Sequence, residues 1–365
     1  MTALNPSHGI ALSEQGTERA ERIEVNIIRL YAMFIVVMIH VASIPAPHYN
    51  TITPAEWWIS NAFHAFSKGG PPMFTMVSGM LLLAKEQPLG VFFRKRVVKV
   101  LIPFVIWALI YLAYRVIAKG EAFSVPWLLR ELLQGPPYYH LWFIQMILGL
   151  YLATPILRVY VRAASRHNLS YFLIVWALTV GLLPILNRLL NLQIGIQVVI
   201  TTQFVGYFIL GYYLRDIKLT PRQMWIAPFV FVGGILFTEV SSYWLMMNNG
   251  GQFDPFFYDN QSLNIIITAT ALFLFIKSLP FEALIQQYPR LRQWIVSLSA
   301  CSFGVYFVHV IVMELLAEGT FGMRLSVLAF NPLFAIPLTT LVTFLMSLII
   351  VLVMKRIPLI RQIVP

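Results

Sequence analysis

Asn26-Ile-Ile-Arg29-Leu-Tyr-Ala-Met-Phe-Ile-Val-Val-Met-Ile-His40 begins an apolar run that continues to about residue 44. Apart from Arg29 and His40 it carries no side chain that bears charge near neutral pH, and it is long enough as a helix to cross about 30 Å of hydrocarbon. Arg29 and His40 are eleven residues apart, so at 100° per residue they differ by roughly 20° and share one stripe, about 16 Å apart along the axis. Asn26 falls within about 40° of that stripe. Ionisable groups inside a span are costly and usually face a polar interior. A neutral imidazole is suited to accept a proton from a hydroxyl, and an arginine fork to hold an anion such as a phosphate. The structural alternative is that Arg29 snorkels to headgroups and His40 bonds a neighbouring helix.

Outward from this helix the same texture repeats. Ten apolar stretches are long enough to span: about 27–44, 71–84, 97–117, 140–157, 171–186, 196–214, 224–247, 263–279, 296–317 and 333–354. Before the second, Trp57–Phe66 reads as an aromatic stretch that dips into the interface, and Gly69, Gly70, Pro71 and Pro72 break the helix between them. The chain is 59% hydrophobic and 11% charged, against roughly 25% charged in a soluble domain, which excludes a water-soluble enzyme. With the amino terminus placed in the cytoplasm, 20 of the 26 Lys and Arg residues fall on cytoplasmic segments, a positive-inside pattern that puts both termini there. The fold expected is therefore all-α, a polytopic transmembrane helix bundle of about ten spans. The net charge of +11 follows from topology and attraction to anionic membrane lipids, and calls for no nucleic acid.

Residues 1–25 are polar and lack an apolar core, so they read as a cytoplasmic amino-terminal tail and not as a cleavable signal. Residues 26–357 form one membrane domain, and 358–365 a cytoplasmic carboxy-terminal tail. No internal repeat or polar linker is visible. The single cysteine, Cys301, excludes an internal disulfide and a Cys₂His₂ zinc site, and no metal site is evident.

Five blocks, in order, carry a likeness to a known family. They are Arg29 with His40; Pro72-Met-Phe-Thr-Met-Val-Ser78-Gly79-Met80; Phe93-Arg94-Lys95-Arg96-Val-Val-Lys99-Val-Leu-Ile-Pro103; Tyr139-His140-Leu141-Trp142-Phe143; and Ser302-Phe-Gly304-Val-Tyr306-Phe-Val-His309. Together, over about residues 25–355, they resemble the acyltransferase-3 family of integral membrane acyltransferases, and most closely its stand-alone surface-polysaccharide O-acetyltransferases. Two positions depart from the family pattern. Asn26 stands where Asp is frequent, and a neutral amide cannot form a salt bridge to the arginine. Met80 replaces a frequent Phe.

The resemblance implies a transferase of the bacterial plasma (inner) membrane that moves an acetyl or other short acyl group from an acyl-CoA, by default acetyl-CoA, to a hydroxyl of a cell-surface or lipid-linked glycan. His40 is then the general base, with Arg29 beside it in the catalytic machinery. Arg29, Arg96, Lys99 and Arg94 would meet the coenzyme phosphates, with Arg96 and Lys99 facing the bundle as neighbours on one helix; their ordinary reading is positive-inside charge. Ser302, Tyr306 and His309 share a helical face and read as a second polar wall with oxyanion donors, or as interhelical hydrogen-bonding groups. Ser78 and Gly79 permit close packing or backbone approach to a ligand. His140 and Trp142 belong either to an outer aromatic belt or to acceptor binding. His64 and Lys68 read as an interfacial amphipathic turn, although a basic residue often sits at the Lys68 position in the family. Glu239, Glu314 and Glu318 could bind sugar hydroxyls, Asp254 and Asp259 read as a solvated loop, and nothing near Cys301 would activate its thiol.

Two other classes fit ten spans with buried polar groups. A secondary transporter or lipid-linked sugar flippase usually shows repeats or paired broken helices, and neither is visible. A glycosyltransferase or polysaccharide ligase usually carries a carboxylate pair or a large outer loop.

Overall fold

The computed structural model describes residues 22–191, 194, 204–320, 322 and 324–365. Among these it contains helices and no strand. The principal helices are α1 (Ile23–Ala42), α2 (Pro54–Ser67), α3 (Gly70–Leu82), α4 (Leu89–Lys119), α5 (Trp142–Ala163), α6 (Arg166–Leu190), α7 (Val205–Leu214), α8 (Pro221–Asn248), α9 (Leu263–Ser278), α10 (Pro289–Ser299), α11 (Ser302–Glu318) and α12 (Pro332–Arg356). Each of the ten expected stretches contains one of these helices. The sixth does so over Val205–Leu214, its residues 196–203 lying outside the described ones, as do residues 1–21 of the expected amino-terminal tail.

Helix length does not carry ten spans. Among the described residues seven helices are long and apolar enough to cross a membrane, or eight when α10 and α11, bent 59° at the break between them, count as one. The shortfall lies in α3 and α7. At 1.5 Å per residue the 13 residues of α3 reach only about 20 Å. These two helices lie inside the bundle, packed on each other. Glycine makes that possible: a Cβ at Gly79 would lie 1.8 Å from the Phe208 carbonyl oxygen, and one at Gly211 1.9 Å from that of Met76. The close-packing reading of Gly79 is the one realised, since small residues let helix backbones approach in a membrane bundle.

α1 occupies the centre and touches α2, α3, α9, α10, α11 and α12. This is why it is apolar on nearly every side, a helix surrounded by others having no face to leave polar. Large apolar side chains such as Trp225, Phe229, Phe334 and Ile349 are exposed on α8 and α12, an exterior suited to lipid. α2 starts at a capping box in which the Thr53 hydroxyl accepts from the Glu56 N–H and the Glu56 carboxylate accepts from that of Thr53, with Pro54 at the first helical position. It packs on α1, α8 and α12 and buries Trp57, Ser60, Asn61 and His64. It is therefore part of the bundle and not the interfacial turn expected from its aromatic sequence; Asn61 and His64 both meet Tyr258, from the segment between α8 and α9.

The ends of the bundle are tied by chain-distant bonds. At one, the basic end, Arg158 Nε donates to the Leu82 carbonyl at 2.9 Å, Lys277 Nζ to that of Ile217 at 2.5 Å and Lys355 Nζ to that of Ala300 at 2.8 Å. Asp216 sits there too, its carboxyl held below the usual carboxylate range by the hydrogen-bonded Arg215 guanidinium. At the opposite end Lys119 Nζ bridges Glu314 at 2.9 Å and Glu318 at 2.8 Å. The segment 358–365, expected as a tail, folds back on α4: the Trp107 indole N–H donates to the Ile363 carbonyl at 2.9 Å and Val364 is buried.

Candidate active site

His40 lies at the far end of α1 from Arg29, on the wall of a cavity of about 210 Å³. His64, Lys68, His140, Trp142 and Tyr306 line the same cavity, together with Pro71, Phe74 and Asn260. Four stretches far apart in sequence, 64–74, 140–143, Asn260 and Tyr306, thus converge on the last turn of α1. The pocket is small, and Val36, Ile39, Pro71, Phe74 and Phe143 stand between its polar groups, which strengthens the electrostatic contacts made within it.

Three imidazoles meet here. The His40 ring centroid is 5.2 Å from that of His309 and 6.3 Å from that of His140, and His140 and His309 are 5.3 Å apart. They are not arranged to hold a metal ion, and no such group of His, Cys, Asp or Glu side chains occurs among the described residues. His309 Nδ1 donates to the Tyr306 carbonyl at 2.8 Å and shares its proton with that of Val305 at 3.2 Å. A carbonyl can only accept, so in the neutral ring the proton sits on Nδ1 and Nε2 keeps its lone pair. That Nε2 is buried without a hydrogen-bond partner.

His140 sits on a 3-10 turn, Tyr139–Leu141, at the start of α5. The Tyr306 hydroxyl donates to the His140 backbone carbonyl, and the Tyr111 ring packs edge-on to the imidazole at 4.8 Å. The residue is 1% exposed, yet neither ring nitrogen has a partner. Buried polar groups are nearly always satisfied, so an imidazole with two free nitrogens on a cavity wall is available to a ligand. His140 and Trp142 therefore belong to the cavity and not to an aromatic belt. Tyr306 is committed to the His140 carbonyl, so its proton is not free for the oxyanion role expected of it. Ser302, one turn earlier, is buried with an unpartnered hydroxyl but does not line the cavity.

His64 and Lys68, expected at the membrane interface, are drawn inward. The His64 ring stacks on Tyr258 at 4.1 Å and 8°, and the Tyr258 hydroxyl bonds the Asn61 side chain. The stacking partner lies almost two hundred residues away, which no local pattern announces. The expected sugar-binding role of Glu314 and Glu318 is not the one built. Glu314 accepts from Tyr114 at 3.1 Å and Tyr138 at 2.5 Å and pairs with Lys119, which also holds Glu318. Together they tie α4 and the segment before α5 to α11. Asp254, expected in a solvated loop, is paired with Arg188 at 2.5 Å. Cys301 is buried, with its thiol directed at the Ser297 carbonyl.

A second polar cluster occupies the basic end. Arg96 lies over the rings of Phe92 at 4.9 Å and Tyr151 at 5.2 Å, and Arg158 over Phe92 at 4.6 Å. Arg29 and Arg96 both act electrostatically on the Tyr151 hydroxyl, and Ser78 lies within its hydrogen-bonding reach. Arg96 Nε and Arg158 Nη2 are buried without partners. Buried guanidinium N–H groups left open beside one another suit an anion. Asn26, 1% exposed one turn before Arg29, donates to the Arg22 carbonyl at 3.5 Å and leaves its Oδ1 unpartnered.

Arg94 and Lys99 are exposed. The expected inward pairing of Lys99 with Arg96 fails because residues Val97–Leu101 form a π-helix, whose wider turn rotates Lys99 away from the Arg96 face. Arg158 is the residue that sequence reading missed, having passed as ordinary basic charge. Its signal was available: Tyr151 and Arg158 are seven residues apart on α5, hence on one face within about 20°.

A protein-family model described as an acyltransferase domain matches residues 22–353. No curated protein and no solved structure matches the chain.

Proposed function

We propose, for a chain that belongs to the acyltransferase-3 family and is an integral membrane acyltransferase, that it moves a short acyl group, acetyl by default, from acyl-CoA to a hydroxyl of a cell-surface or lipid-linked glycan at the bacterial inner membrane. The observation that carries this is the polarity of α1. Its Arg29 end joins Arg96 and Arg158 in an anion-seeking cluster, and its His40 end opens on an imidazole-lined cavity.

In this reading the coenzyme phosphates rest on the arginines at the basic end, which faces the cytoplasm, and the thioester extends along α1. Arg96 and Arg158 replace Lys99 as the inward cations. The His40 ring makes no hydrogen bond among the described residues and is open to the acceptor. It takes the proton of the acceptor hydroxyl as the oxygen attacks the thioester carbonyl. The C–O bond forms, the C–S bond breaks, and His40 returns the proton to the departing thiolate, so the step balances without another reactant. Lys68, on the cavity wall, supplies positive charge for the oxyanion in place of Tyr306. His309, fixed by its own helix, and His140 hold the surroundings of His40.

The test is transfer of label from radiolabelled acetyl-CoA to cell-envelope glycan in membranes carrying the protein, read as alkali-labile acetate. Ester-linked label above that of control membranes supports the reading. Its absence with acetyl-, propionyl- and succinyl-CoA, the protein being folded and present, refutes it.

A further inference from the structure

The His40 cavity does not end at His64. A larger cavity, about 970 Å³, adjoins it and shares Ser43, His64, Lys68 and Asn260 with it. Its walls are the segment 253–262, between α8 and α9, and Val180–Ile185 of α6. The size lies in the range of about 300–1,000 Å³ usual for ligand sites.

The 253–262 segment is held from α6 and α7 and by bonds of its own. Asp254 pairs with Arg188 at 2.5 Å and accepts from the Phe256 N–H at 2.9 Å. The Tyr207 hydroxyl donates to the Asn260 carbonyl at 2.5 Å, and Asp259 Oδ1 accepts from the Gln261 N–H at 2.7 Å. A loop fixed in this way presents its side chains in set positions. Two polar atoms on the shared wall are nevertheless unsatisfied: Asn260 Oδ1, which is buried, and Nδ1 of His64, a residue 6% exposed. Leaving buried donors and acceptors empty costs free energy that a ligand recovers.

The wall chemistry differs from that of the basic end. It offers the rings of Phe253, Phe256 and Tyr258, the amides of Asn260 and Gln261, and the carboxylates of Asp254 and Asp259. Carboxylates and amide oxygens accept from hydroxyls, and aromatic faces receive C–H groups. Asp254 is paired with Arg188, so Asp259 is the carboxylate that disfavours an anion on this wall, and a polyphosphate donor is directed to the arginines at the other end.

We infer that the 253–262 segment is the acceptor-binding wall and that it selects uncharged, hydroxyl-rich acceptors of sugar type through Asp259, Asn260 and Gln261. This rests on the acyl-transfer reading above. The step it serves is unchanged, with the acceptor hydroxyl reaching His40 past His64 and Lys68.

The test uses the full-length protein in membranes with labelled acetyl-CoA. The acceptors are the methyl glycosides of glucose, N-acetylglucosamine and glucuronate, with envelope glycan in parallel. Wild type is expected to favour the uncharged glycosides over the glucuronoside by about tenfold, and Asp259→Asn to narrow that preference. Asn260→Ala and Gln261→Ala are expected to raise the acceptor KM by about three- to tenfold, the loss of one hydrogen bond, with the acetyl-CoA KM unchanged. The unchanged donor KM shows that the variants are folded. An active wild type without charge preference, or variants with wild-type acceptor KM, overturns the inference and leaves the acyltransferase reading standing. A wild type that labels neither the glycosides nor envelope glycan overturns both.

Discussion

The His309 imidazole lies 5.2 Å from that of His40, centroid to centroid, while its own Nδ1 proton is bound to the Tyr306 carbonyl at 2.8 Å. The α11 backbone thus fixes the tautomer of the ring beside that of His40. The fixed Nδ1 proton leaves the His309 Nε2 lone pair free, so what separates the two histidines is place: His40 lines the cavity and His309 stands behind it. His309→Asn, which retains a polar group of similar reach, is expected to lower kcat by about tenfold, well short of the loss for removing a general base. Steady-state transfer kinetics at matched protein level check this.

On the proposed reading the basic end sets donor affinity. Arg96→Ala and Arg158→Ala are each expected to raise the KM for acyl-CoA by about ten- to a hundredfold, the range of one charge-assisted hydrogen bond, with little change in kcat. Arg94→Ala and Lys99→Ala, at exposed positions, should leave it within about twofold, as for most surface charges. Equal effects at all four positions would mean that the donor is held by diffuse charge.

The Tyr306 hydroxyl holds the turn that carries His140. Tyr306→Phe keeps the ring and removes that bond. The expected cost is about 1 kcal/mol of stability, read as a small fall in Tm. The fall in kcat should be larger, about tenfold or more, because the turn moves relative to His40. A variant with wild-type kcat would separate the turn from the chemistry.

Packing of α3 on α7 is equally open to test. Gly79→Ala and Gly211→Ala place a methyl group within 2 Å of a facing carbonyl oxygen, and each is expected to cost about 4 kcal/mol or more, seen as loss of folded protein in detergent. Gly149→Ala, where a Cβ meets nothing within 4 Å, should be neutral or stabilising by about 0.5–1 kcal/mol. The contrast in detergent melting curves is the readout.

Orientation follows from charge. The native Cys301 is buried and gives little background to thiol reagents. With the basic end in the cytoplasm, Arg130→Cys is expected to react with a membrane-impermeant maleimide in intact cells, and Arg94→Cys only after permeabilisation. The reverse pattern would invert the bundle.

Periodicity made the first helix legible. The stripe of Arg29 and His40 is a property of eleven residues, and the fold returns both to polar sites, one at each end of α1. The blocks around His140 and His309 were legible as chemistry but not as neighbours, because their meeting depends on α11 and the turn before α5 reaching the same end of α1. Lys99 went astray for a local reason, a π-helix whose extra residue per turn leaves no mark in the amino-acid pattern. His64 and Asp254 went astray for a distant one, His64 stacking on a ring 194 residues away and Asp254 pairing with an arginine 66 residues away. Glu314 was misread because its partners, Lys119 and Tyr138, come from two other elements. α3 was legible as apolar, but its short length makes sense only once α1, α7 and α9 are seen to surround it.

The most direct test of the central claim separates binding from chemistry at His40. Acetyl-CoA affinity and the rate of acetyl transfer to envelope glycan are measured for wild type and His40→Ala at matched protein level. The account predicts unchanged acetyl-CoA affinity and a transfer rate lower by about 10²–10⁴-fold, the contribution of a positioned general base. Transfer by His40→Ala at the wild-type rate would contradict it.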